Sequence, residues 1–217
     1  MNEIRLAAWA AIAADHGLEL AAGALEADLH SVLDGLYAET ERQAELELER
    51  VAEELLSRCE ARLPRSVWPQ LVEAIQEAGT HVEPVLARGL EPCLDALESA
   101  GLRVALVSNV VLTPSRITRT YLGPLLARFD PALFSDDVGM LKPDPRIFLL
   151  LLEALRLPPE RVVHVGDSRF LDVRGGRSAG LRTIRFTGFV DDLSKDEPEA
   201  DALAASMSDL PALVASL

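Results

Sequence analysis

Apolar positions recur at helical spacing through the first eighty or so residues and in short unbroken runs after that; the change divides the chain. Ala7 to Ala14 runs through Trp9 and Ile12 and stops at Gly17, and Leu25, Leu29, Val32, Leu33 and Leu36 follow on one helical face. From Glu39 to Glu60, Leu48, Val51, Leu55 and Cys59 mark the apolar side of a glutamate-rich helix, with Glu54 and Arg58 as a supporting pair four residues apart. That acidic stretch reads as a solvated outer face rather than a partner-binding helix. Pro64 suits an early helical position, Trp68, Leu71, Val72 and Ile75 carry the period, and Gly79 ends it. The pattern predicts a module of about four helices over residues 1–82.

Glu83-Pro84-Val85 then reads as a linker, because proline restricts itself and the residue before it. Beyond it, over residues 83–217, strand and helix signals alternate. Leu90, Leu94 and Leu97 predict a helix ending at Gly101, and Val104 to Val107 a strand that stops at Ser108-Asn109. Thr113-Pro114 opens a helix with a capping residue and a proline at its first position. Leu133-Phe134-Ser135 predicts a short strand leading to Asp136-Asp137 and the loop Gly139 to Pro145, and the strongly apolar Ile147 to Leu155 a helix covered on most sides. Val162, Val163 and Val165 form a run without alternation, as expected of a strand covered on both faces; Thr183 to Phe186 is another strand, and Leu210 to Leu217 a closing helix. Strands alternating with helices imply an α/β fold with a doubly wound parallel sheet.

Composition narrows the function. A chain of 217 residues, 49% hydrophobic, buries a large core. Lys plus Arg is 21 against 35 for Asp plus Glu, a net charge of −14, which leaves no basic stripe for a nucleic-acid partner. Arg5 and Asp15 interrupt the alanine-rich start, so neither a membrane span nor a leader is expected and the cytoplasm is the expected location. Cys59 and Cys93 show no metal-type spacing and no disulfide framework.

The candidate chemistry sits at strand ends, where open α/β sheets place their sites. Asp167 follows the Val162–Val165 run through a sharp Gly166 turn, and Asp172 comes five residues later; hard oxygen donors there suit Mg²⁺. Ser108 suits a hydrogen bond to a phosphoryl oxygen, and Lys142 neutralisation of its charge. Singly, each is equally well a cap, a turn former or an exposed lysine; together, with Asn109, they fit a phosphoryl-transfer site. His164, inside the strand, reads as a core residue.

These residues carry a resemblance. From about Val85 to Leu217 the chain resembles the core of the haloacid dehalogenase-like hydrolase superfamily: VALVSN with Ser108 is similar to its second motif, GMLKPDPRIF with Lys142 to its third, and VVHVGDS with Asp167 and Asp172 to its fourth. The resemblance implies a Rossmann-like core, a helical cap formed by residues 1–82, Ser108, Asn109 and Lys142 as catalytic residues, and Asp167 and Asp172 as Mg²⁺ ligands. The acidic GDSRFLDV form resembles the family's Mg²⁺-dependent phosphatases, acting on small phosphorylated molecules, rather than its dehalogenases.

The family's first motif is Asp-x-Asp at the end of a central strand, its first aspartate the nucleophile and its second the acid and base. The 217 residues contain no such pair; Asp136-Asp137 and Asp191-Asp192 are adjacent and read as loops. Without it the covalent intermediate cannot form, and metal binding is weakened or lost. Three readings remain open: a phosphatase-type protein whose N-terminal strand is missing through a late start or truncation, a pseudoenzyme that binds or assembles, and a subunit whose strand comes from another chain. The first is preferred for origin, because the remaining site residues are chemically suitable. Little or no activity is expected of the polypeptide alone. The strands ending at Ser108 and Asp167 are expected to close the gap by pairing directly, or else through strand exchange in a homodimer.

Overall fold

The computed structural model describes residues 2–17, 57, 65–77, 85–110, 114–189 and 191–217. Two compact units divide the chain: Met1–Pro84 with Val110–Tyr121, and Val85–Asn109 with Leu122–Leu217. The first unit thus takes in a stretch that the sequence pattern groups with the α/β half.

In the first unit, α1 spans Asn2–Asp15 and ends at Gly17, whose φ of 75° only glycine adopts readily. A 3₁₀ turn over Arg65–Val67 leads into α2, Trp68–Glu77. The expected helices over Leu25–Leu36 and most of Glu39–Glu60, and the Glu83-Pro84 linker, lie outside the described residues. So does Thr113, the expected cap of a later helix, α4, which spans Ser115–Leu122.

The second unit is a parallel α/β assembly. Helix α3, Leu90–Ser99, precedes β1, Leu106–Ser108, and β2 follows at Ala132–Phe134. Helix α6, Pro145–Leu155, begins where Asp144 accepts a hydrogen bond from the Arg146 amide and Pro145 supplies the fixed φ of a first turn. Strand β3, Val163–Gly166, is followed by a π turn, Arg169–Arg174, and then by β4, Arg182–Phe186. The order ends with β5, Ala202–Ala204, and a terminal helix, Leu210–Ser216. Asp136 and Asp137, expected in a loop, lie on a short helix, α5, Ser135–Val138. The four-residue α7 is Gly175–Ser178.

Alternation along β3 explains the layering. Val163 and Val165 pack into a cluster of Cys93, Ile184, Phe186, Ala204 and Leu210, which joins α3 and the terminal helix to the sheet. On the other face, Val162 packs with Ile147, Phe148 and Leu152 of α6, and the His164 ring meets Phe148 edge-on at 4.9 Å between centroids. Helices therefore cover both faces, and the apolar run of β3 needs no polar side.

The strands form two sheets: β1 pairs with β2, and β3, β4 and β5 pair in that order, all parallel. The expected direct closure does not occur, since β1 and β3 share no backbone bond, and no strand from residues 2–17 lies between them. The reason lies in the helix layer. Val107 of β1 and Val162 rest on the same Ile147–Phe148–Leu152 patch, so α6 holds each sheet in place without a backbone ladder between them. Among the described residues, one edge of β1 and one edge of β3 remain unpaired.

Candidate active site

Strand β3 delivers its chemistry through the turn that follows it. Ser168 caps the π turn, its Oγ accepting from the Leu171 amide at 3.1 Å. The amides of Asp172 and Val173 both donate to the Ser168 carbonyl, at 3.0 and 3.1 Å. The wide turn accommodates the four residues between Asp167 and Asp172 and folds Asp172 back over Gly166. A Cβ at Gly166 would overlap the Asp172 carboxylate, so glycine is required there for close approach.

Asp172 is 3% exposed and fully engaged. Its Oδ1 accepts from Lys142 Nζ at 2.6 Å and from His164 Nε2 at 2.9 Å, and its Oδ2 accepts from the Ser168 amide at 3.1 Å. Burial alone would raise its pKa, but the Lys142 charge and the hydrogen bonds from His164 and Lys142 prevail and hold the carboxyl well below the usual range. Burial pushes the His164 imidazole down, so His164 is neutral near pH 7 and donates its Nε2–H to Asp172. The buried charge is thus one ammonium against one carboxylate, with a neutral donor beside them.

Lys142 is aimed by its backbone. Asn109, just past the end of β1, donates Nδ2–H to the Lys142 carbonyl at 2.9 Å and accepts from the Lys142 amide at 2.8 Å. This two-point clasp ties the loop before α6 to β1, and the Lys142–Pro143 peptide within it is cis. Ser108 is half-buried at the end of β1, in register with Phe134. Asp167 is exposed, and its carboxylate accepts no hydrogen bond or ion pair among the described residues.

The residues singled out from the sequence thus divide. Asn109, Lys142 and Asp172 form one connected chain; Ser108 adjoins it through Asn109, and Asp167, directly after Gly166, is exposed. His164, read from the sequence as core, belongs to that chain as well. The available signal was a single imidazole within a valine run ending in Gly-Asp-Ser.

A divalent metal fits this donor set only in part. Asp172 already shares both oxygens, and among the described residues no three His, Cys, Asp or Glu side chains converge. Asp167 offers one free carboxylate, and a hard cation that takes several oxygen donors needs more.

Comparison with known proteins gives the family. The chain belongs to the haloacid dehalogenase-like hydrolase family, whose family model matches residues 3–180. It is 41% identical over 102 residues to the phosphoserine phosphatase of Thermus thermophilus, a match covering 46% of this chain and 39% of that protein. It is 31% identical over 162 residues to the phosphoglycolate phosphatase of Shigella boydii, covering 71% of this chain and 60% of the relative. The match therefore spans about 39% to 60% of the length of these two relatives. Among solved structures, a 2-haloacid dehalogenase from Pseudomonas syringae superposes with a TM-score of 0.67 at 24% identity, covering 99% of this chain and 90% of that one. That likeness shows the shared α/β fold. Among the described residues no helix is long and apolar enough to cross a membrane.

Proposed function

We propose that this chain carries part of a phosphatase-type site for small phosphate monoesters, and that the site is completed by a further strand ending in carboxylates between β1 and β3. The supporting observation is the coincidence of two unpaired parallel edges with the candidate residues at their carboxyl ends. The names of the two phosphatase relatives support the substrate class.

In this reading Ser108 donates its hydroxyl proton to a phosphoryl oxygen at the end of β1. Lys142 neutralises charge on the same group, its position fixed by the Asn109 clasp and its protonation secured by Asp172. Asp172 therefore acts through Lys142 and the turn, while Asp167 is the carboxylate that would hold Mg²⁺, together with carboxylates of the added strand. Bound there, Mg²⁺ supplies further neutralisation of phosphoryl charge. With no Asp-x-Asp among its residues, the chain alone forms no covalent phosphoryl intermediate and turns over substrate negligibly. A strand supplied by another chain would complete it. A binding or assembly role without turnover is the second reading, favoured by the absence of three converging metal-ligand side chains among the described residues.

The test is steady turnover of an aryl phosphate with Mg²⁺, for the chain as it stands and for Asp167→Ala. Both should give the background rate. Turnover by the unaltered chain that Asp167→Ala abolishes would contradict the reading.

A further inference from the structure

The connection from β4 to β5, residues 187–201, runs beside the π turn and takes no part in the chemistry described above. It has no helix among its described residues and little apolar anchorage, with Phe189 61% and Leu193 74% exposed. Ion pairs hold it instead. Arg185, on β4 and 2% exposed, donates Nε and Nη2 to the two oxygens of Glu199 at 2.8 and 2.9 Å, and Nη1 to Asp191 at 2.5 Å. Arg169, the first residue of the π turn, is gripped from the same strap at three points. Its amide donates to Asp192 Oδ2 at 2.6 Å, its Nη1 to the Ser194 carbonyl at 3.0 Å and its Nη2 to Glu199 Oε2 at 2.5 Å.

Glu199 therefore bridges a buried arginine of the sheet and the arginine that opens the turn carrying Asp172. A π turn is rare, occurs mostly as a single turn and is frequent at functional sites. The strap supplies hydrogen bonds from outside the turn at its first residue. We infer that the acidic strap 191–199 is a positioning device: by holding Arg169 at its amide and guanidinium, it fixes the turn that places Asp167 and aims Asp172 at Lys142. Arg169 is the positioning residue, and Asp192 and Glu199 are its anchors. The pairs sit partly in solvent, so the device loosens with salt. The inference rests on the reading that Asp167 and Asp172 belong to the site, but the turn's conformation is measurable without turnover, so the two can fail separately.

The test is amide hydrogen exchange, with the His164 ring resonances as a second readout, on the whole chain and on Arg169→Gln, Asp192→Asn and Arg128→Gln. Arg128 pairs with Asp95 and Glu98, outside both the turn and the strap, and serves as control. The amides of Leu171, Asp172 and Val173 should exchange about tenfold faster in the first two variants, with β4 unaffected. The Nε2–H resonance of His164 should shift as its bond to Asp172 loosens, and Arg128→Gln should leave both signals in place. Raising NaCl to about 1 M should reproduce the effect in the unaltered chain, which decides the matter where a variant does not fold. Unchanged exchange at 171–173 in the variants and in salt would overturn the inference. So would acceleration of equal size across β3, β4 and β5, the mark of a general loss of stability.

Discussion

Strands β3 and β4 lie side by side, yet the chain treats them differently. The last four residues of β4, Thr183 to Phe186, are buried, and the strand is paired on both sides. Strand β3 has the more apolar setting in sequence, but every residue from Val163 to Gly166 is only half-buried and one edge is unpaired. Strand β1 repeats that pattern over Leu106–Ser108. Composition alone does not separate the two cases. What separates them, among the described residues, is a neighbour: β4 has β3 and β5, while β1 and β3 each have one. On the β4 side the fold is held by packing together with the Arg185–Glu199 pair, and on the site side by a buried charge pair and a side-chain clasp.

The largest effect should come from that charge pair. Lys142→Ala leaves the Asp172 carboxylate buried without its cation and should cost about 3–5 kcal/mol in denaturant unfolding. Adding Asp172→Asn should restore much of the loss, because the orphaned charge is gone. Additive losses in the double variant would mean that packing, not charge, holds this side.

Truncation sharpens the contrast between strands. Ile184→Ala, at 1% exposure in the central cluster, should cost about 2–5 kcal/mol. Val165→Ala on half-buried β3 removes less covered surface and should cost about 1 kcal/mol. Equal losses would break the comparison.

Acid should act on both regions, on the same side of neutrality. His164 is held neutral by burial, so its folded pKa lies below its unfolded value; the unfolded chain binds the extra proton, and stability falls as pH drops below about 6.5. Asp172 is held low against its burial by Lys142, and Glu199 is brought down to about 2 by its hydrogen bonds from Arg185. Their contribution is present above about pH 4 and is lost as pH falls through the folded values. Urea midpoints between pH 7 and 3 should fall gently at first and then steeply, and His164→Gln should flatten the first part alone. The smallest effect belongs to Arg128→Gln, which breaks an ion pair with exposed Glu98 and Asp95 and should leave the urea midpoint essentially where it is.

Sequence reasoning reached the elements with clear periods and clear stops. Helix α6 is Asp144-Pro145 followed by an apolar run, and β3 and β4 end where polar residues follow. Its limits are physical. Ala202–Ala204 is too short and too poor in β-branched residues to signal a strand, and it is one only because β4 offers it an edge. The π turn has no sequence mark beyond the spacing of Asp167 and Asp172, and the strap's anchors read as an ordinary acidic loop until Arg169 and Arg185 are seen facing it. Likewise the spacing of Ser108, Lys142 and Asp172 suggested one site, but the role of Asp172 as partner to Lys142 and His164 requires the fold that brings them together.

The open edges themselves are the most direct target. Amide exchange resolved along β1, β3 and β4 reports which backbone groups have partners. Slow exchange throughout Thr183–Phe186, with fast exchange at those amides of Leu106–Ser108 and Val163–Gly166 that point away from β2 and β4, is the predicted result. Uniform protection of every amide in β1 and β3, matching β4, would contradict an open gap and with it the proposal that a further strand completes the site.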